Sequence, residues 1–199
     1  IVGASLLMPG GEPRQVFGEA GPRKVLETSF YADGGNIARS PQAQLDAIMA
    51  LAMLARIYEM RRMDVAPFLQ EILTRSVPAL LGLVHADGGM GSWQGSAATL
   101  PEVIQAIVAA SGVRTRPLKQ ARDWGYQRLV ANKVVLLADA APPPIARVTE
   151  AGCASTLAFE LSDGPDRIIV NCGGAALTGA TIPEDLARGL RTTAAHSTL

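Results

Sequence analysis

The apolar residues of this chain change their spacing once, near residue 113, and that single change limits the folds open to it. Before it they recur every three or four positions, the period of a helix with one buried face. Leu45, Ile48, Met49, Ala52, Met53 and Ile57 set a helix from the cap Ser40-Pro41 to about Arg62. A second helix fits residues 65–84, with Phe68, Leu69, Ile72, Leu73, Leu80, Leu81 and Val84 as its stripe. Pro78 should kink or break it. A third is bounded by the capping-box pattern Thr99-Leu-Pro-Glu102 and by Gly112. Residues 1–30, rich in Gly and Pro and without a lasting period, are expected to form a surface segment.

After Gly112 the pattern becomes that of strands. Residues 114–121 read as a linker. Tyr126, Leu129 and Val130 then face Val134 to Leu137 across an Asn132-Lys133 turn, a hairpin signal. The prolines after Ala141 end it, because they cannot donate to a ladder. A second hairpin pairs residues 156–162 with 167–172 around Asp163-Gly-Pro-Asp166. Residues 183–190 suggest a helical turn, and 192–199 a further strand. Helices first and strands second mean an α+β or two-domain organisation, divided as 1–113 and 114–199, and exclude alternating β/α units.

One repeat stands out. Tyr31-Ala-Asp-Gly-Gly35 returns as His85-Ala-Asp-Gly-Gly89, an offset suited to stacked helical hairpins, with glycines placed for positive φ in a turn.

The chain is 48% apolar and 18% charged with formal net charge +0, which favours a packed core over disorder. It lacks the basic excess of a nucleic-acid or anionic-membrane binder, although a local basic cleft for a polyanion stays open. No apolar run reaches the roughly 18 residues of a membrane span. Without an initial Met or a basic leader at Ile1–Leu7, the start reads as internal, and the compartment stays open between periplasm and cytoplasm of a bacterium. Cys153 and Cys172 read as two small buried thiols, or as a disulfide if their strands pair closely in an oxidising compartment.

Three stretches taken in order resemble the heparinase II/III-like family: Ala32-Asp-Gly-Gly-Asn-Ile-Ala-Arg-Ser-Pro41; Thr156-Leu-Ala-Phe-Glu-Leu-Ser162 with Ile168-Ile-Val-Asn-Cys-Gly173; and Arg191-Thr-Thr-Ala-Ala-His-Ser-Thr-Leu199. The resemblance implies α/α-toroid hairpins followed by an antiparallel β-sandwich, both incomplete here. It also implies β-elimination on a uronic-acid polysaccharide of heparin or heparan type. That reaction needs a neutraliser for the charge developing on the uronate carboxylate, and a Tyr or His to move the proton.

The chain departs from the pattern where that chemistry sits. The family's Tyr position falls on Ala43, followed by Gln44, and the stretch Glu150-Ala-Gly-Cys-Ala-Ser155 lacks the family's His. A catalytically silent glycan-binding or envelope-associated relative is therefore the alternative to a lyase, so no catalytic residue is assigned. A glycoside hydrolase ranks lower, since few carboxylates are present to form its pair. Asn36 and Arg39, between a tight turn and a helix N-terminus, are candidate carbohydrate contacts. Trp93 is a candidate sugar platform, with Trp124 a weaker one. His196 matches a His that the resemblance makes a zinc ligand in metal-containing relatives. With only His85 and His196 present, this segment cannot build a multi-histidine zinc site. No cofactor is expected of it, and a zinc stays open only for the intact protein. His85 is expected to meet the last carbonyls of a helix, and Tyr31, Tyr58 and Tyr126 to serve packing. The expected partner is an acidic polysaccharide.

Overall fold

The computed structural model describes residues 2–175 and 182–198. Five helices come first: α1 (Val2–Leu7), α2 (Glu12–Ser29), α3 (Pro41–Met60), α4 (Pro67–Gly82) and α5 (Pro101–Ala110). Four strands follow: β1 (Tyr126–Ala131), β2 (Val134–Asp139), β3 (Phe159–Asp163) and β4 (Asp166–Ile169). A short α6 (Glu184–Gly189) and a 3-10 turn at Thr193–Ala195 close the described chain. The architecture is helical hairpins followed by an antiparallel sheet, as the change of period requires.

Helix α3 starts as its cap predicts, with the Ser40 hydroxyl accepting the Ala43 N–H at 3.4 Å. It ends where Arg62 turns to φ 55°. Its face Leu45, Ile48, Leu51 and Tyr58 packs on Leu69, Ile72, Leu73, Val77 and Leu80 of α4, forming the helical core with Ile104 of α5.

The N-terminal thirty residues correct the expectation of a surface segment: most of them are helical, in α1 and α2, and α2 runs through Pro22. Polar α2 lacks an apolar stripe strong enough for a period to show, and tertiary contact holds it, with Leu26 against the core. Helix α4 likewise runs unbroken through Pro78. A mid-helix proline costs about 3 kcal/mol, and each buried Leu or Val beside it returns roughly 1.5–3 kcal/mol. The capping box at α5 does not form. Leu100 is the cap residue without a side-chain bond, and Thr99 instead donates to Gln42 at 2.9 Å. Gly112, at φ 69°, ends the helix as expected.

The sheet order is β1-β2-β3-β4, antiparallel throughout, with Leu129 opposite Leu136 and Leu136 opposite Leu161. Asn132 at φ 55° makes the first hairpin turn. Strand β3 begins at Phe159, not at residue 156, because Leu157 sits at φ 66°. Strand β4 ends at Ile169, short of Cys172. Residues 192–198, expected as a strand, instead form the 3-10 turn followed by an irregular bend. Ser197 is held there by the Asn171 side chain at 2.9 Å and by the Phe159 N–H at 3.1 Å. Leu199 lies outside the described residues.

Alternation along the strands sends Tyr126, Val135, Leu137, Asp139, Glu160 and Ser162 toward the helices. A second apolar cluster, holding Leu83, Trp93, Trp124, Tyr126, Val135, Leu137 and Ala158, fills the seam between helices and sheet.

Candidate functional site

Both copies of the repeated pentapeptide build the same turn. Gly35 and Gly89 return carbonyls to the Tyr31 and His85 N–H groups at 2.8 and 2.9 Å. Asp33 and Asp87 each accept the N–H of the second glycine, at 3.2 and 2.8 Å. Gly34 and Gly88 take φ 88° and 83°, the left-handed region where a side chain would be strained. Each aspartate also reaches across the seam. Asp33 accepts the Asp123 and Trp124 N–H groups at 2.8 and 2.9 Å, and Asp87 forms a two-point ion pair with Arg167 at 2.8 and 2.9 Å.

Beyond each turn lies a buried polar network. The first centres on Asp139, at the inward end of β2. It accepts Arg39 and, through its other oxygen, Ser155 at 2.7 Å and Gln94 at 3.2 Å. Arg39 also donates to the carbonyls of Trp124 (2.8 Å) and Pro142 (2.5 Å). It takes φ 54° at the turn end and lies 5.1 Å from the Tyr126 ring centroid. The Tyr126 hydroxyl donates to the Arg39 carbonyl at 2.6 Å.

The second network centres on Glu160 of β3. One of its oxygens meets His85 Nε2 at 3.1 Å and Arg167 at 3.2 Å, and the other accepts the Ser92 N–H at 2.8 Å. His85 Nδ1 lies 2.8 Å from the Ser162 hydroxyl. This replaces the expectation that His85 meets helix carbonyls. Gln94, Ser155, Glu160, Ser162 and Arg167 are seam residues to which sequence reasoning gave no role, and Asp139, whose place before Ala-Ala-Pro-Pro suggests only a strand-end cap, joins them. A signal was present: three of them are polar residues at inward positions of strands, where burial demands a partner.

The candidate residues separate. Asn36 accepts the Ala38 N–H at 2.9 Å on its side-chain oxygen, closing the turn that leads into α3. Arg39 is buried and engaged as above. Trp93 is fully buried, its ring 5.3 Å from that of Tyr126, and its indole N–H has no hydrogen-bond partner. Trp124 shares that condition. Gln44, next to the substituted tyrosine position, is buried and donates to the Gly34 and Ser76 carbonyls at 2.8 and 3.0 Å. His196 is buried, and neither ring nitrogen meets a protein partner. Burial holds its pKa below the ordinary imidazole value, with Asp139 opposing.

Those unpartnered nitrogens would suit a metal ligand. Yet among the described residues no three His, Cys, Asp or Glu side chains gather around a common point, so the donor set does not fit zinc. Cys153 is buried while Cys172 is exposed, a correction to the expected pair of buried thiols, and both are free.

The acid–base groups at the seam are subdued. Burial, reinforced by Asp139, pushes the Tyr126 hydroxyl well above its usual range. Tyr58, far from the seam, is pushed up by burial and by its hydrogen bond to Glu19. Burial favours protonation of Asp87, but Arg167 and the Gly89 N–H outweigh it and hold the carboxyl below the usual range. Beside the seam, the loops after β2 and around α6 enclose a depression of about 320 Å³ that Arg188 and Arg191 line. Among the described residues no helix is long and apolar enough to cross a membrane.

Comparison with known proteins agrees with this geometry. Residues 113–199 match the family described as Heparinase II/III-like, C-terminal. FtsZ-localized protein C of Caulobacter vibrioides (strain NA1000 / CB15N) is 28% identical over 148 residues, 74% of this chain and 26% of that protein. Heparinase III (the BT4657 gene product) superposes with a TM-score of 0.77 at 11% identity, over 98% of this chain and 35% of its own. Heparan sulfate lyase HepC from Pedobacter heparinus gives 0.71 at 16% identity, over 99% and 35%. The chain thus spans about a quarter of the curated relative and about a third of these structures. At such identities the structural likeness establishes the fold.

Proposed function

We propose that this chain, whose residues 113–199 match the heparinase II/III-like family, forms part of an acidic-polysaccharide-binding relative of the polysaccharide lyases that has lost the elimination chemistry. In this reading residues 1–113 end a helical toroid and 114–199 begin a sandwich, with glycan bound along the side where the two meet.

One observation carries it: Tyr126 and His85, two seam groups able to move a proton, are committed to the protein itself. Tyr126 is buried with its hydroxyl on a backbone carbonyl, and His85 has both ring nitrogens engaged. A general base must reach the proton it removes, and neither group can. Ala43 at the family's Tyr position, the stretch 150–155 without the family's His, and a relative named for its localisation to FtsZ and not for a lyase activity support the same reading.

The fold match to heparinase III over 98% of the chain favours a second reading. There the whole protein is a lyase of uronate-containing glycans, and its base and neutraliser come from residues outside this chain. Full-length protein mixed with heparan-type and unsulfated uronate polysaccharides separates the two. Binding by calorimetry without growth of ultraviolet absorbance from unsaturated uronates is expected. Growth of that absorbance makes the protein a lyase.

A further inference from the structure

We propose that the depression beside Cys153 is a carboxylate-reading subsite, taking one uronate residue of an acidic oligosaccharide between Arg188 and Arg191; this rests on the glycan-binding reading above.

Its walls are Pro143, Pro144, Thr149 and Thr192, and its two charged lining groups are those arginines. Among the described residues no Asp or Glu lines it. Glu150 and Glu184 line a neighbouring hollow that shares the same two arginines. Arg191 is thus the lining cation without a carboxylate partner among the described residues, while Arg188 is shared with Glu184 and Asp185.

The two arginines differ in a useful way. Arg191 is anchored, its Nε donating to the Gly152 carbonyl at 2.8 Å, and among the described residues its two terminal nitrogens meet no partner, which leaves that side of the planar fork for a ligand. Arg188 is 68% exposed and, among the described residues, held by Glu184 and Asp185, themselves 85% and 95% exposed. Pairs in that much water are weak and yield readily to a better-placed anion. A fixed fork beside a movable one suits a planar carboxylate, which accepts two parallel N–H groups. The proline rings offer flat apolar surface to a sugar face, and the threonine hydroxyls suit its hydroxyls. Cys153 lies at the same wall, and burial pushes its thiol above the usual range, so it stays uncharged there and does not repel an anion.

The test uses full-length protein and three probes: an unsulfated uronate hexasaccharide, its carboxyl-reduced form and sulfated neutral dextran. Binding of the hexasaccharide is measured for wild type, Arg188→Gln, Arg191→Lys and the Arg188→Gln/Arg191→Gln double variant, with thermal unfolding as the check on folding. The carboxylate assignment predicts that affinity falls about tenfold or more for Arg188→Gln and further in the double variant, the scale of a lost charged hydrogen bond. Arg191→Lys keeps charge but not the fork and is expected to weaken binding at unchanged melting temperature. The carboxyl-reduced probe is expected to bind wild type as poorly as the hexasaccharide binds the double variant. Equal hexasaccharide affinity in wild type and double variant overturns the subsite and leaves glycan binding standing. Sulfated dextran binding as tightly, with the same loss in the variants, overturns the carboxylate assignment. No binding of wild type to any acidic probe overturns both the subsite and the glycan-binding reading.

Discussion

The two copies of the Asp-Gly-Gly turn share their local bonds and differ in what they fasten. The first leads into Arg39, whose side chain is 3% exposed, paired with an Asp139 that is fully buried. The second leads to Glu160 and to Arg167, which is 21% exposed and shared between two carboxylates. One network is sealed and the other opens to water at one end. The same turn therefore tolerates very different surroundings, and the cost of breaking each network follows its access to solvent.

Arg39→Met should cost most, about 3–5 kcal/mol in urea unfolding, because it strands the Asp139 charge in the interior. Adding Asp139→Leu should recover part of that loss. A double variant no more stable than Arg39→Met would mean that the stranded charge is not the cause.

The turn glycines come next. A methyl on Gly34 would run into the Arg75 backbone, while one on Gly88 meets the Pro101 side chain at 3.0 Å. Left-handed strain of about 1–2 kcal/mol applies to both. The backbone clash adds roughly 1–3 kcal/mol only at Gly34. Gly34→Ala should thus unfold at clearly lower denaturant than Gly88→Ala, and equal midpoints would erase the distinction between the copies.

Arg167→Met should be milder, about 1–3 kcal/mol, since Glu160 keeps His85 and the Ser92 N–H. It also alters acid sensitivity. The Asp87 carboxyl is held low when folded, so its contribution is fully present above its unfolded pKa near ~4 and is lost as pH falls through the lower folded value. In Arg167→Met that acid-dependent loss should shrink, as stability measured from pH 6 to pH 3 will report.

The smallest effect is expected at His196, which belongs to neither copy. Its folded pKa is lowered, so its contribution is full above the unfolded value near ~6.5 and declines as pH falls below it, when the unfolded chain takes up the proton first. His196→Gln should flatten stability between pH 7.5 and pH 5.5. An unchanged slope would assign the dependence to another group.

The candidate site was only partly legible in the sequence. Asn36, Arg39 and Trp93 were picked out for their places beside turns and helix ends, and the seam does gather Arg39 and Trp93 around Tyr126. Their partners lie far along the chain: Arg39 meets Asp139 at a separation of 100 residues and His85 meets Glu160 at 75. No local pattern carries information across such distances.

The sequence by itself determined where helices give way to strands, the cap of α3, the two matching turns and the hairpin at Asn132. Each rests on a period or on a residue whose backbone preference acts within a few positions. Tertiary structure decided that α2 and α4 continue through their prolines and that Leu157 delays β3. It also decided that residues 192–198 do not extend as a strand, and that Asp139 and Glu160 become the hubs of the seam. The reason is common to all of these. A propensity is a matter of one or a few kcal/mol, whereas burying an apolar face and leaving no interior charge unpaired is a condition on the whole fold.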